Sequence, residues 1–478
     1  MIARPNLYRA LLTVVTALLV TWCFNPFALY FQNDDFIHIP LSAHRQFMQR
    51  NSFRPVCDFS IMLDYWLWHK QAWGYHFTNF LLHFINSLVL YSVSVYFLRK
   101  YRLVSYPRST AWCMAVLFFA YAMHSEAVFW ILGRSAALGT LFFLLSTFFY
   151  LKRANGKYFI TSIVFIFLSW LSYESTWILP AVILIISAVD MQLNRSELVK
   201  EWFCVLPVFC CFFIYLFLRY YFTGQLVGNY EAGFFIQGNV KVLAQNFVKL
   251  MVRSWLPPMQ NWKLLIIFFV FLIAAIALCF FSIKEKKFRT GLIVFTSIWL
   301  ITLLHFSSLG IDTRGTEAER FLYLPSVFVC IIICLLAERI SLLWLRYVML
   351  TGILCIHLAI LFNNARSYRF AGTVVLTAIE QVKALQHTPV LYVANLPMQY
   401  RGALIFRSGF SEAMAWMKNN QGIDSVSILS RQTKDQTYTP KFKAEIKDST
   451  IISKPFRLNR GDVYWRFTDS SLQVFSQP

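Results

Sequence analysis

Asn33, Asp34 and Asp35 follow within a few residues of the first long apolar run, Leu7 to Tyr30. Two adjacent carboxylates where a membrane helix leaves the bilayer are costly to desolvate, and packing alone rarely places them there. One such carboxylate can take the proton of an acceptor hydroxyl. Its neighbour can position a substrate or tune the base through like-charge proximity. General-base chemistry at a membrane surface suits this pair, and Asp34 and Asp35 are the candidate catalytic residues.

Further polar residues recur where apolar runs end. The stretch from Phe31 to Tyr75 concentrates acids, arginines and histidines, Arg54 among them, with His76 just beyond. Later come His124-Ser125-Glu126, Gly133-Arg134-Ser135, Tyr173-Glu174-Ser175 and Glu319-Arg320-Phe321-Leu322-Tyr323-Leu324-Pro325-Ser326. Ionisable groups at helix ends on one face can meet around a headgroup. Arg320 is the first candidate for a phosphate, because a guanidinium fork binds one bidentately, with Arg54 and Arg134 behind it. His76, His124, Glu126, Glu174 and Glu319 are candidates for holding sugar or acceptor. Each also has a plainer reading as a helix cap, an interfacial ion pair or a satisfied polar group.

The elements that must position these residues are membrane helices. Of 478 residues 58% are hydrophobic and only 14% charged, a balance that a soluble domain does not need. Eleven apolar runs are spanning or nearly so. They begin with Leu7–Tyr30, Phe77–Leu98, Thr110–Ala122, Ala136–Leu151, Tyr158–Leu171 and Trp177–Val189. Trp202–Leu218, Leu264–Ile283, Leu292–Phe306, Phe321–Ala337 and Leu343–Phe362 complete the set. The Phe31–Tyr75 stretch falls short of a span and predicts helices lying along the interface.

Loops rich in Arg99, Lys100, Arg102, Lys152, Arg153, Lys284, Lys286 and Lys287 mark the cytoplasmic side. The acidic pair then lies outside, and an odd number of spans puts the C-terminus outside as well. That face would be the periplasmic side of a bacterial inner membrane, or the lumen in a eukaryote. The net charge of +21 is largely this topological signal, with no basic stripe on a nucleic-acid motif, so anionic lipid rather than nucleic acid is the expected partner. The first run reads as an uncleaved anchor, since Trp22 stands where a lipoprotein cleavage site needs a small residue. Nine of ten cysteines fall in apolar runs and Cys57 stands alone in a loop, a pattern of core packing rather than a disulfide framework or metal site.

After Phe362 the apolar runs shorten, and Asn363-Asn364-Ala365-Arg366 marks a boundary between residues 1–364 and a soluble α/β domain, 365–478. Within it Thr373–Leu385 and Ser411–Lys418 predict helices. Val390–Ala394, Ser425–Leu429, Tyr438–Ile446 and Val463–Phe467 predict strands. The expected architecture is an all-α polytopic membrane protein with a small C-terminal α/β domain.

The order of Asn33-Asp34-Asp35, Phe53-Arg54-Pro55, Gly74-Tyr75-His76 with Asn79 and His83, His124 to Val128, Gly133-Arg134-Ser135, and Glu319 to Ser326 resembles the GT-C superfamily of membrane glycosyltransferases. It is most similar to the transmembrane part of the transmembrane-and-tetratricopeptide O-mannosyltransferases and their bacterial relatives, over roughly residues 1 to 364. No tetratricopeptide repeat accompanies it, and Ser172-Tyr173-Glu174 stands where the family often has Ser-Lys-Glu.

The resemblance implies transfer of a sugar from a polyprenyl-phosphate-linked donor to a glycan, lipid or protein acceptor at the outer face. The residues agree: phosphate leaves with little acid assistance, so one base near the anomeric carbon suffices, and a single displacement inverts that carbon. A divalent ion accompanies such acids in some pyrophosphate-using members of the superfamily; the monophosphate-using branch needs none, and no metal or other cofactor is expected. A transporter or flippase of lipid-linked glycans, or a non-catalytic membrane scaffold, are the alternatives. Against transport stand the few glycines, 17, and the clustering of ionisable groups at one face rather than mid-membrane.

Overall fold

The computed structural model describes residues 5–46, 53–194, 197–226, 239–385, 387–417, 422–432, 441–448 and 461–476. Among these, nine helices are long and apolar enough to cross a membrane, ten if a bent pair counts as one span. The protein is a multi-pass membrane protein. Each of the eleven expected runs forms a helix, with two differences. Gly156–Trp170 has 15 residues, about 22 Å at 1.5 Å per residue, short of the roughly 30 Å hydrocarbon core. The run from Thr110 belongs to the bent pair Pro107–Phe119 and Ala122–Phe129, whose axes differ by 54°.

That bend exposes backbone groups which apolar surroundings cannot satisfy. Polar side chains from the helix Leu343–Ala384 supply partners: His357 Nδ1 accepts the Ala122 N–H at 3.3 Å, and Asn364 Nδ2 donates to Ala122 O at 3.4 Å as well as to the Ser125 side chain, Oγ, at 2.8 Å. The carbonyls that follow fall to Asn79, whose Nδ2 donates to Trp130 O at 3.0 Å and Ile131 O at 3.3 Å. Gly133 closes the turn. A Cβ there would lie 2.2 Å from the Glu126 carbonyl oxygen, so no larger residue fits without moving backbone.

Between the first helix, Pro5–Cys23, and the helix Ala72–Lys100, the chain forms Asp35–Ala43 and Pro55–Trp68, in place of a span. Cys57, expected in a loop, is buried within Pro55–Trp68.

The expected break at Asn363 to Arg366 is absent. Helix Leu343–Ala384 runs through it for 42 residues, about 63 Å, and absorbs the helix expected from Thr373. Its C-terminal half carries the C-terminal domain. There β1 (Thr388–Ala394), β4 (Ile423–Ile428), β5 (Lys443–Asp448), β6 (Val463–Phe467) and β7 (Ser471–Ser476) form a sheet in the order β4-β1-β6-β7-β5. β1 is parallel to both β4 and β6, β6 is antiparallel to β7, and β7 is parallel to β5. Leu391, Val393, Trp465, Phe467 and Leu472 fill its core. Helix Phe410–Met417 matches its expectation, whereas β5 starts at Lys443, and 438–440 of the strand expected from Tyr438 lie outside the described residues. A short hairpin of β2 (Gln399–Tyr400) and β3 (Ala403–Leu404) was not expected.

The domain is docked on the membrane helices. Trp416 packs edge-on against Phe31 and Phe36, and its carbonyl accepts Lys70 Nζ at 2.6 Å. Arg407 pairs with Glu317 at 2.6 Å. At the opposite end of the helices Arg153 bridges Asp190 at 2.7 Å and Glu201 at 2.6 Å, while Lys100 reaches Asp190 at 2.9 Å.

Candidate active site

Asp34 and Asp35 are adjacent in sequence but differ in environment. Asn33 takes a left-handed backbone, φ 51°, a conformation that asparagine tolerates, and this turns the chain into helix Asp35–Ala43. Asp35 is fully buried and its Oδ2 accepts the Gln32 N–H at 2.9 Å. Burial pushes its carboxyl well above the usual carboxylate range. The charge of Asp34 adds to this, while the amides of Gln32 and Leu132 and the cation of Arg134 oppose it. Asp34 is half-buried, with its Oδ1 against the Ser408 hydroxyl. Of the two, Asp34 alone is partly exposed to solvent.

Arg134 is enclosed. Its Nε donates to Asn79 Oδ1 at 2.7 Å, Nη1 to Ser60 Oγ at 3.1 Å, Nη2 to Tyr75 O at 3.0 Å, and the group pairs with Asp64 at 2.5 Å. All three nitrogens of a fully buried guanidinium are thus committed to the protein, which ties the Arg134–Leu151 helix to the interfacial helix Pro55–Trp68.

Arg320 and Glu126 form an ion pair, and the Arg320 N–H reaches Glu126 Oε2 at 3.0 Å. Glu319, adjacent in sequence, points elsewhere: it is buried against Arg253 at 2.5 Å. Arg253 also holds Asp312 O at 3.1 Å and Leu256 O at 2.6 Å, so it pins the loop that leads into Arg320.

Arg54 and Glu174, far apart in the chain, meet at 2.7 Å, and Glu174 also accepts Arg219 Nη1 at 3.2 Å. Arg219 is fully buried, yet its Nε and Nη2 have no hydrogen-bond partner among the described residues. The Arg54 guanidinium lies 4.7 Å from the Tyr173 ring. From there Tyr173, Phe306 and Phe321 form a run of rings ending at the Arg320 guanidinium, 4.8 Å from Phe321.

The two histidines lie inside the protein. His76 is buried near the start of Ala72–Lys100 with Nε2 3.2 Å from Tyr30 O, and His124 Nε2 contacts Ser326 Oγ at 2.6 Å. Among the described residues no three His, Cys, Asp or Glu side chains gather as one metal ion would need.

Sequence reasoning missed Arg219, Arg253, Asp64 as a partner of Arg134, and Ser408. Arg219 carried a readable signal, an arginine directly after the apolar run ending at Leu218. Arg253 did not, because its helix, Val240–Trp255, is too polar to register as a span.

No family model matches the chain. Over 315 residues, 61% of the chain, it is 24% identical to a protein O-mannosyl-transferase of Caenorhabditis elegans, 43% of which is covered. Over 127 residues, 27% of the chain, it is 34% identical to the protein O-mannosyl-transferase TMTC3 of Mus musculus, 12% of which is covered. The chain is similar to the TMTC protein O-mannosyl-transferases. It spans less than half the length of these curated relatives. Among solved structures, ArnT from Cupriavidus metallidurans, bound to undecaprenyl phosphate, superimposes with a TM-score of 0.48 at 12% identity, covering 88% of this chain and 90% of ArnT. The archaeal oligosaccharyltransferase AglB of Archaeoglobus fulgidus, in complex with an inhibitory peptide and a dolichol-phosphate, gives 0.49 at 12%, covering 88% and 64%.

Proposed function

We propose that this protein is a GT-C-type glycosyltransferase that moves a sugar from a polyprenyl-phosphate-linked donor to an acceptor hydroxyl, at the membrane face that carries the C-terminal domain. The charge of the loops supports reading this as the outer face. The reading rests above all on Asp34: a carboxylate still within reach of substrate, held beside a buried twin at the edge of a membrane domain. The similarity to protein O-mannosyl-transferases supports it independently.

Asp34 takes the proton of the acceptor hydroxyl as its oxygen attacks the anomeric carbon. The bond from that carbon to the phosphate oxygen breaks, and its electron pair leaves with the polyprenyl phosphate. One base and one departing group on opposite sides of the carbon invert its configuration. Asp35, buried and inclined to keep its proton, holds the turn rather than the substrate. No step calls for a metal or another cofactor.

For the phosphate, Arg54 and Arg219 are better placed than Arg320. Buried N–H groups without acceptors are costly, and two of them on Arg219 would be satisfied by phosphate oxygens beside Arg54. Arg320 already has Glu126, and Arg134 has no nitrogen to offer. Glu126 with Arg320, and Glu319 with Arg253, are ion pairs within the protein rather than free ligands.

The test is turnover in reconstituted vesicles with a series of polyprenyl-monophosphate sugars, followed as release of the free polyprenyl phosphate. Asp34→Asn is expected to lose a factor of about 100 or more, as removal of a general base does, and Asp35→Asn much less. Mass spectrometry of surface glycans from cells with and without the gene would identify the product. Movement of intact lipid-linked glycan across the bilayer, undiminished in Asp34→Asn, would instead establish the transporter reading.

A further inference from the structure

The acidic pair is not completed by the membrane helices alone. Residues 405–409 of the C-terminal domain lie directly on it. The Asn33 N–H donates to Ile405 O at 2.8 Å, and the Ser408 N–H donates to Asn33 Oδ1 at 2.9 Å. The next residue, Gly409, has φ +76°, and a Cβ there would come 2.5 Å from the Asn33 carbonyl oxygen, so the segment approaches as closely as backbone allows. On its far side Arg431 Nη1 donates to Arg407 O at 2.7 Å and Phe406 O at 3.2 Å, which fixes the segment to its own domain.

The Ser408 hydroxyl has one proton and two acceptors in range, Asn33 Oδ1 at 3.1 Å and Asp34 Oδ1. Asn33 Oδ1 already accepts the Ser408 amide, whereas Asp34 is a carboxylate and the stronger acceptor. The proton therefore goes to Asp34.

We propose that Ser408 is a positioning residue: a hydroxyl of the soluble domain that fixes the carboxylate of the catalytic base, so that the active site is assembled from both domains. The terminal torsion of an aspartate is broad, and one charge-assisted hydrogen bond selects a single orientation from it. Holding Oδ1 leaves Oδ2, which has no partner among the described residues, to take the acceptor proton along one direction. This is the geometric control that a displacement reaction needs. The inference rests on Asp34 being the base.

The experiment uses the full chain in vesicles, with kcat and donor KM measured for Ser408→Ala, Ser408→Thr and Asp34→Asn. Ser408→Ala is expected to lower kcat about tenfold, within the range that misplacing a catalytic group costs, with donor KM changed less than about twofold. Ser408→Thr should recover most of the loss. If Ser408→Ala does not fold, Ser408→Cys, close in size but a weak donor, should show the same fall in kcat. Wild-type kcat in Ser408→Ala or Ser408→Cys, with Asp34→Asn inactive, overturns the role of Ser408 and leaves the base assignment standing. Equal losses in the Ala and Thr variants, or a parallel rise in KM, reduce Ser408 to a docking contact. Full turnover in Asp34→Asn removes the base itself, and Ser408 with it.

Discussion

Glu126 holds Arg320 at two points, taking the guanidinium with one carboxylate oxygen and the arginine's own backbone N–H with the other, at 3.0 Å. The carboxylate is 1% exposed, so the pair is an internal brace at the entry to the helix Tyr323–Ala337. Arg320→Ala strands a buried charge and should cost about 3–5 kcal/mol of stability. Adding Glu126→Gln to that variant should restore much of it, because a neutral amide is cheaper to leave unpaired. Thermal unfolding in detergent reads both. A stable Arg320→Ala single variant with a strongly raised donor KM would return the phosphate to Arg320.

Arg219 offers the converse case. Its unsatisfied Nε and Nη2 hydrogens make the folded protein carry a cost that a bound anion relieves. Arg219→Lys keeps the charge and loses the planar fork, so donor KM should rise about tenfold, with kcat falling less. Arg54→Gln should act in the same direction. Added inorganic phosphate or a short-chain polyprenyl phosphate should raise the unfolding temperature of the wild type and not of Arg219→Gln. An equal rise in both proteins would place the anion elsewhere.

Asp35 gives stability a pH dependence of known sign. Burial raises its native pKa above the unfolded value of about 3.9. The folded state therefore holds the proton over a window in which the unfolded state has released it. In that window stability falls as pH rises, from the unfolded pKa up to the native one, and levels off above it. Asp35→Asn mimics the protonated form, still offers an oxygen to the Gln32 amide, and removes the slope. The unfolding temperature of Asp35→Asn minus that of the wild type should be small near pH 4 and grow towards pH 8. A difference that shrinks over this range would mean that Asp35 is ionised in the folded protein.

The eleven apolar runs were legible because bilayer insertion is a local property of each segment: some twenty apolar residues suffice, whatever they pack against. Strands Val390–Ala394 and Val463–Phe467 and the helix near Ser411 were legible for a similar reason, since periodicity and turn residues act over short windows. The helix break expected near Asn364 is absent because a polar residue inside a helix can serve a neighbouring element instead of ending it. In the structure that asparagine faces the bent pair, where Ser125 Oγ accepts its Nδ2, and the helix continues.

Sequence alone determined the membrane class and the helices, because hydrophobicity and charge act on each segment independently. Tertiary structure decided which carboxylate remains accessible, which arginines are already committed, and that Ser408, some 370 residues downstream, reaches Asp34. Those outcomes depend on what surrounds each group. Desolvation and hydrogen-bond partners come from distant parts of the chain, and Arg134, Arg219 and Arg320 are the same residue type with three different fates.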